Sequence, residues 1–230
     1  ARALAMHTSE ELKEVALVLR EQMGLLGQPE LNGMVVELYE THPKHIESWF
    51  AFLHPAGDPN AKMVTGVILF EKKSCAVIRE MIKKYQGPLK QYTIEASGDK
   101  IKKFYKVLQP LVPEAQNVPK QEFYHCADFS GGTLLLASVQ EPSSESKDLL
   151  MRSASVFDLA YRRLLDLKKA EAQAREAQIE AALERVRSRT MAMQKTNELL
   201  ETAGLLYKEL FKLGIASLTS GYVLMDKDEK

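Results

Sequence analysis

His125 and Cys126 are the adjacent pair in this sequence best suited to nucleophilic or metal chemistry. An imidazole can take the proton of a thiol, and the thiolate is the reactive form. The run Phe123 to Phe129 reads as a strand, however, and neighbours on a strand point to opposite faces. The two therefore cannot act together on one substrate, and each is read singly, as core filler, as a pocket-lining group or as a reactive group. A lone cysteine most often fills space as a small apolar side chain. Trp49, the one tryptophan, is a core residue or an aromatic pocket wall. Trp49, His125 and Cys126 are the candidates for lining a ligand pocket.

Other groups carry weaker signals. Cys75 stands near a helix start, beside Lys72 and Lys73, where a thiol could be activated as a redox sensor. His42, His45 and His54 surround one turn, but no Asp or Cys completes a metal-binding spacing, so solvated histidines are expected. Basic residues crowd the stretch from Lys72 to Lys120, which reads as the wet face of two amphipathic helices; the second reading is an anion site or a docking surface. Phosphate-binding glycine loops, zinc-protease helices and serine-hydrolase elbows are missing. No catalytic residue, metal ligand or cofactor is assigned, and an enzyme is not expected in this segment.

The totals agree with a folded regulatory or structural chain. The 230 residues are 45% apolar and 27% charged, with 31 basic and 31 acidic side chains. That balance gives no bulk attraction to nucleic acid. Two cysteines without a CxxC pair make no disulfide framework, and a reducing, cytoplasmic setting is expected. No apolar run approaches the roughly 20 residues of a membrane helix, so no membrane contact is expected here. The chain does not begin with Met and stops in a strand-like run, which reads as a segment of something longer.

These residues must be positioned by elements that the periodicity makes legible. Apolar residues at helical spacing from Leu12 to Leu26 predict a helix ending at Gly27. Strands follow at about 33–40, 45–53 and 63–70. The second should place Ile46, Ser48, Phe50 and Phe52 on one face and Glu47, Trp49, Ala51 and Leu53 on the other. A helix at 74–85, a strand at 89–96, a helix from Ser97 to Leu108 and a proline-marked loop come next. A hairpin then joins 123–129 to 133–139. Pro142-Ser-Ser-Glu opens a helix with no strong breaker before Gly204, and a run of about 50 residues is expected. The order predicts an α+β fold, an antiparallel sheet flanked by helices, with a long C-terminal helix.

An internal repeat fixes the domain plan. At an offset of 187, ten of the 26 positions from Arg2 to Gly27 are identical to their counterparts, among them Leu12, Glu14, Ala16 and Leu19. Unrelated segments would share about two. Both copies then enter apolar strands, Gly33 to Tyr39 and Gly221 to Met225. Between the copies, Leu165, Ala172, Ile179, Val186 and Met193 recur every seven residues, with Leu183 at an intermediate position and charges of both signs around them. Such a seam suits two parallel helices coiled about each other, and a solvated single helix is the alternative.

Residues 170–193, Ala-Glu-Ala-Gln-Ala-Arg-Glu-Ala-Gln-Ile-Glu-Ala-Ala-Leu-Glu-Arg-Val-Arg-Ser-Arg-Thr-Met-Ala-Met, resemble the linker joining consecutive GAF domains in bacterial signalling proteins. The hairpin followed by a long helix is similar to the last strands and exit helix of that domain. The resemblance implies a GAF-like sensor domain over residues 1–153, a helical coiled-coil linker over 154–189, and an incomplete second repeat over 190–230. It also implies a homodimer paired through the linker, which recognises a small molecule or partner in a cavity between the sheet and residues 54–110 and relays the signal to a downstream output. A ligand-free dimerisation scaffold is the alternative. GAF domains take cyclic nucleotides, tetrapyrroles, small metabolites or nothing, and this chain lacks the Asn-Lys-x-Asn-Phe-Asp-Glu pattern and a chromophore Cys-His pair.

Overall fold

Runs of β-branched and aromatic residues set the strands, and a computed structural model shows how they pair. It describes residues 12–25, 31–54, 62–88, 90–195, 198–215, 219 and 223. The chain divides into two compact units, 1–165 and 166–230. The first holds α1 (Leu12–Leu25), β1 (Leu31–Leu38), β2 (His45–His54), β3 (Lys62–Glu71), α2 (Ala76–Tyr85), β4 (Gln91–Ser97), α3 (Gly98–Leu108), β5 (Gln121–Phe129), β6 (Gly132–Ser138) and the first part of α4 (Ser144–Met191).

The six strands form one sheet in the order β3-β2-β1-β6-β5-β4, and every pair is antiparallel. It is built from two meanders, β1-β2-β3 and β4-β5-β6, joined by the central β1–β6 pair. The connection from β3 to β4 must travel from one edge of the sheet to the other. It does so through α2, and α2 and α3 cover one face. On the opposite face, α1 and α4 supply Leu12, Val15, Ala16, Leu150, Ala154, Phe157 and Tyr161 to a core with Met34, Val36, Leu38, Trp49, Leu134 and Leu136. Hence β1, β2, β5 and β6 carry buried residues on both faces, and their polar side chains Glu37, Ser48, Glu122, His125 and Thr133 are buried with them. The expected α+β architecture with an antiparallel sheet flanked by helices is what the chain forms.

Local chemistry fixes the connections. Ser143 caps α4, its Oγ accepting the Ser146 N–H at 3.1 Å. The β5–β6 turn is two residues, Ser130 and Gly131, since Phe129 pairs with Gly132. A Cβ on Gly132 would lie 1.7 Å from the Glu37 carbonyl oxygen, so only glycine lets β6 approach β1 there. Asp158 Oδ1 accepts the Ser130 N–H at 2.6 Å, and the Tyr161 ring occupies the space a Gly131 side chain would need. The hairpin tip is thereby tied to α4.

In the second unit, α4 ends at Met191 and α5 (Leu199–Lys212) follows. At 48 residues α4 has the length expected of it. Its last turn tightens, with Ala192 N–H reaching Ser188 O and Met193 N–H reaching Thr190 O. Then α5 returns antiparallel along α4. Arg189 pairs with Glu198 and Glu201, Arg185 pairs with Glu209, and Arg175 donates to the Leu213 carbonyl. These contacts and the burial of Ala182 hold the helical hairpin together. The bounds of α5 are those of α1 displaced by 187, as the repeat requires. The strand expected at Gly221 to Met225 lies outside the described residues, apart from Val223, which is exposed.

Two glycine substitutions should act in opposite directions. Gly132→Ala forces the β1 and β6 backbones apart and is expected to cost about 3 kcal/mol. At Gly204, exposed within α5, an added Cβ meets nothing within 4 Å. Gly204→Ala should therefore stabilise α5 by about 1 kcal/mol through helix propensity alone. Denaturant melts of the two variants check both signs.

Candidate functional site

The crossover that carries the chain over the sheet does not close down on it. Between the sheet and α2, α3 and the loop after α3 lies a cavity of about 330 Å³. Its floor comes from alternate residues of five strands: Gly33, Val35 and Glu37 of β1, Ser48, Phe50 and Phe52 of β2, Ile68 and Phe70 of β3, Glu122 and Tyr124 of β5, and Leu135 and Ala137 of β6. Its roof comes from Met81, Phe104, Tyr105 and Leu108, with Val112, Ala115 and Asn117 to Pro119 closing one end. The lining is largely apolar and aromatic, the usual make-up of a small-molecule site.

Two glutamates interrupt that lining. Glu37 is 3% exposed and Glu122 is 4% exposed. Each is followed two positions later by a tyrosine, Tyr39 just past the end of β1 and Tyr124 within β5. Tyr39 donates its hydroxyl to Glu37 Oε2 at 2.6 Å, and Tyr124 donates to Glu122 Oε2 at 2.5 Å. Tyr105 adds a second donor to Glu122 at 3.3 Å. Burial raises the Glu37 carboxyl to about 7; the Tyr39 hydrogen bond pulls it back, while the charge of Asp128 pushes it further up. Asp128 is itself raised by burial, although Thr133 and Tyr92 donate to its Oδ1.

Glu37 stands directly opposite Ser48 in the β1–β2 register. Opposed residues of an antiparallel pair project side by side from the sheet. Ser48 is 1% exposed, and its Oγ has no hydrogen-bond partner among the described residues. Glu122 belongs to the other end of the cavity. Glu37 is level with Thr133 of β6, whereas Glu122 lies just beyond Phe123, which pairs with Ser138.

The candidates named from sequence do not line this cavity. Trp49 and His125 face the helix layer, Trp49 within the core under α1 and α4 and donating Nε1–H to Glu47 at 2.8 Å. Thr93 Oγ1 lies 2.7 Å from His125 Nδ1, and Gln91 Nε2 lies 3.0 Å from Nε2. Because Gln91 Nε2 also donates to Lys147 O at 2.7 Å, His125 Nε2 accepts and Nδ1–H donates. Burial, with Lys147 nearby, lowers His125 to about 4, so it is neutral at pH 7. Cys126 is on the cavity side of β5 but fully buried beneath it, and burial pushes its thiol well up, with Glu37 and Asp128 adding to the rise. A thiol in that state is a poor nucleophile. Cys75 is buried in the core under α2. His42 pairs loosely with Glu47 at 3.7 Å. Among the described residues no group of three or more His, Cys, Asp or Glu could hold a metal ion. Lys73, Lys83, Lys102, Lys103 and Lys106 are exposed on α2 and α3 or just before them, the wet face expected of them.

Among the described residues no helix is long and apolar enough to cross a membrane. No protein-family model, curated protein or solved structure matches the chain significantly.

The two buried groups give opposite pH dependences. From pH 4.5 to about 7 an unfolded Glu37 has ionised while the folded one keeps its proton, so its contribution to stability falls as pH rises, by about 3 kcal/mol in total. His125 behaves inversely: between pH 6.5 and about 4 the unfolded form binds the proton first, and stability is lost as pH falls. Wild-type stability should therefore change little over pH 4.5–6.5 on their account. Glu37→Gln is expected to uncover the His125 slope, with stability rising with pH, and urea midpoints across this range measure it.

Proposed function

We propose that the first unit is a GAF-like regulatory sensor that binds a small molecule in the cavity and passes the event to α4. The signal then travels along a helix paired with that of a second copy, to an output domain downstream, in the cytoplasm of a bacterial cell. The segment itself performs no catalysis in this reading. The observation that carries it is a largely apolar cavity whose polar points are incompletely satisfied. A folded core seldom leaves a buried hydroxyl such as Ser48 Oγ without a partner unless something else supplies one.

The route to α4 is physical. Leu135 and Ala137 of β6 line the cavity, while Leu134 and Leu136, alternating with them, pack in the core with Phe157 and Tyr161 of α4. The β5–β6 turn is bonded to Asp158. A ligand that shifts β6 is felt by α4 only if it binds one arrangement of these groups more tightly than another. Supporting a paired helix, Leu165, Ala172 and Leu183 are exposed, while Ile179, Val186 and Met193 are half-buried and flank the Ala182 face taken by α5. The exposed three are the part of the seam open to a second copy.

Two measurements test this reading. Filling the cavity with Ala115→Phe should abolish any ligand-induced rise in melting temperature found by screening metabolites, while leaving the fold intact. In parallel helices identical seam residues face each other. Leu183→Cys should therefore crosslink between copies, to an extent that changes with ligand. Crosslinking that ligand leaves unchanged points to the scaffold alternative, and a monomer that does not crosslink removes the relay.

A further inference from the structure

The cavity's polar groups define what can enter it, and they favour one charge type. Among the described residues its lining has no Lys, Arg or His, while two buried carboxyl groups are present, Glu37 and Glu122. An anionic ligand would find no cation and two groups that repel it. A purely apolar ligand would offer no hydrogen bond to Ser48 Oγ or to Glu37. Glu122 already accepts from Tyr105 and Tyr124. Glu37 accepts from Tyr39 through Oε2 alone, and no other hydrogen bond reaches it among the described residues. Ser48, its cross-strand neighbour, is likewise unpartnered and buried. One acceptor oxygen and one hydroxyl therefore stand side by side at the same end of an aromatic chamber walled by Phe50, Phe70 and Phe104.

We propose that the cavity binds a small amphiphilic amine, whose ammonium group donates to Glu37 Oε1 and Ser48 Oγ and whose apolar body lies against Phe50, Phe70 and Phe104. An ammonium has three donors and no acceptor, which matches a carboxylate and a hydroxyl offered together. Its charge keeps Glu37 ionised, converting a buried acid into a charge-assisted pair. Aromatic walls suit both the apolar body and the flank of a cation. This inference rests on reading the cavity as a ligand site and narrows it to a chemical class.

The test uses the whole chain and three matched probe sets: arylalkylamines (phenethylamine, phenylbutylamine, tryptamine), the corresponding alcohols, and the corresponding carboxylic acids. Binding is measured by titration calorimetry and by thermal shift at pH 7.5, chosen as roughly neutral so that the amines are charged. The expected result is that the amines bind about tenfold or more tightly than the alcohols, and the acids do not bind. Glu37→Gln, which keeps an acceptor for Tyr39, should erase that preference, while Ser48→Ala should weaken amine binding by a few-fold, on the order of one hydrogen bond. Unfolding of a variant is detected by its own melt, and the wild-type probe comparison stands without it. Alcohols or acids binding as well as amines overturn the amine assignment and leave the ligand site standing, as does a folded Glu37→Gln that keeps the preference. Failure of all three probe sets overturns this inference, and the empty-handed metabolite screen together with it would remove the ligand-site reading too.

Discussion

The β1–β6 pairing governs the rest of the molecule. It joins two three-stranded meanders into one sheet, and it holds because Gly132 lets the β6 backbone lie against the Glu37 carbonyl. With β1 in the middle and layers on both faces, alternation along one strand serves two purposes. Met34, Val36 and Leu38 enter the core under α1 and α4, while Gly33, Val35 and Glu37 form cavity floor. A one-residue slip would exchange the two sets, placing Glu37 in a closed core. The register is therefore at once the condition for folding and the condition for the site.

The second consequence concerns cost. Burying a carboxyl group without a counter-charge is unfavourable, and the group keeps its proton to lessen the penalty. Glu37 and Glu122 reduce it further by taking hydroxyl donors from tyrosines two positions on. Glu122 has Tyr105 and Tyr124, whereas among the described residues Glu37 has Tyr39 alone and an unpartnered serine beside it. A fold optimised only for stability would replace such groups with apolar ones of similar size. Their presence beside an open volume is what sets this face of the sheet apart from the filled helix face.

The helices have a matching division. Up to Leu165, α4 belongs to the first unit, where Leu150, Ala154, Phe157 and Tyr161 recur at helical spacing and are buried. Beyond that point its partner is α5, held largely by arginine–glutamate pairs rather than by a dense apolar interface. The partly exposed Arg189 pairs contribute little each, whereas the Glu209 carboxylate that Arg185 meets is buried. Leu165 and Leu183 remain exposed.

Much of this was legible in the residues. Apolar alternation and turn chemistry located the six strands and the helices of the first unit, because both depend on local spacing, and the 187-residue offset marked where α5 begins and ends. No glycine or proline signals the break after Met191; the repeat carries it instead. Glu37-Leu-Tyr39 and Glu122-Phe-Tyr124 could have been found as a buried acid with a hydroxyl donor two residues on. A cavity between the sheet and residues 54–110 is expected, but not which residues face it. Trp49 and His125 look like pocket residues by type, but the fold turns them toward α1 and α4. Local spacing determines which residues share a face, whereas only the packing of the distant crossover helices decides which face is filled and which is left open.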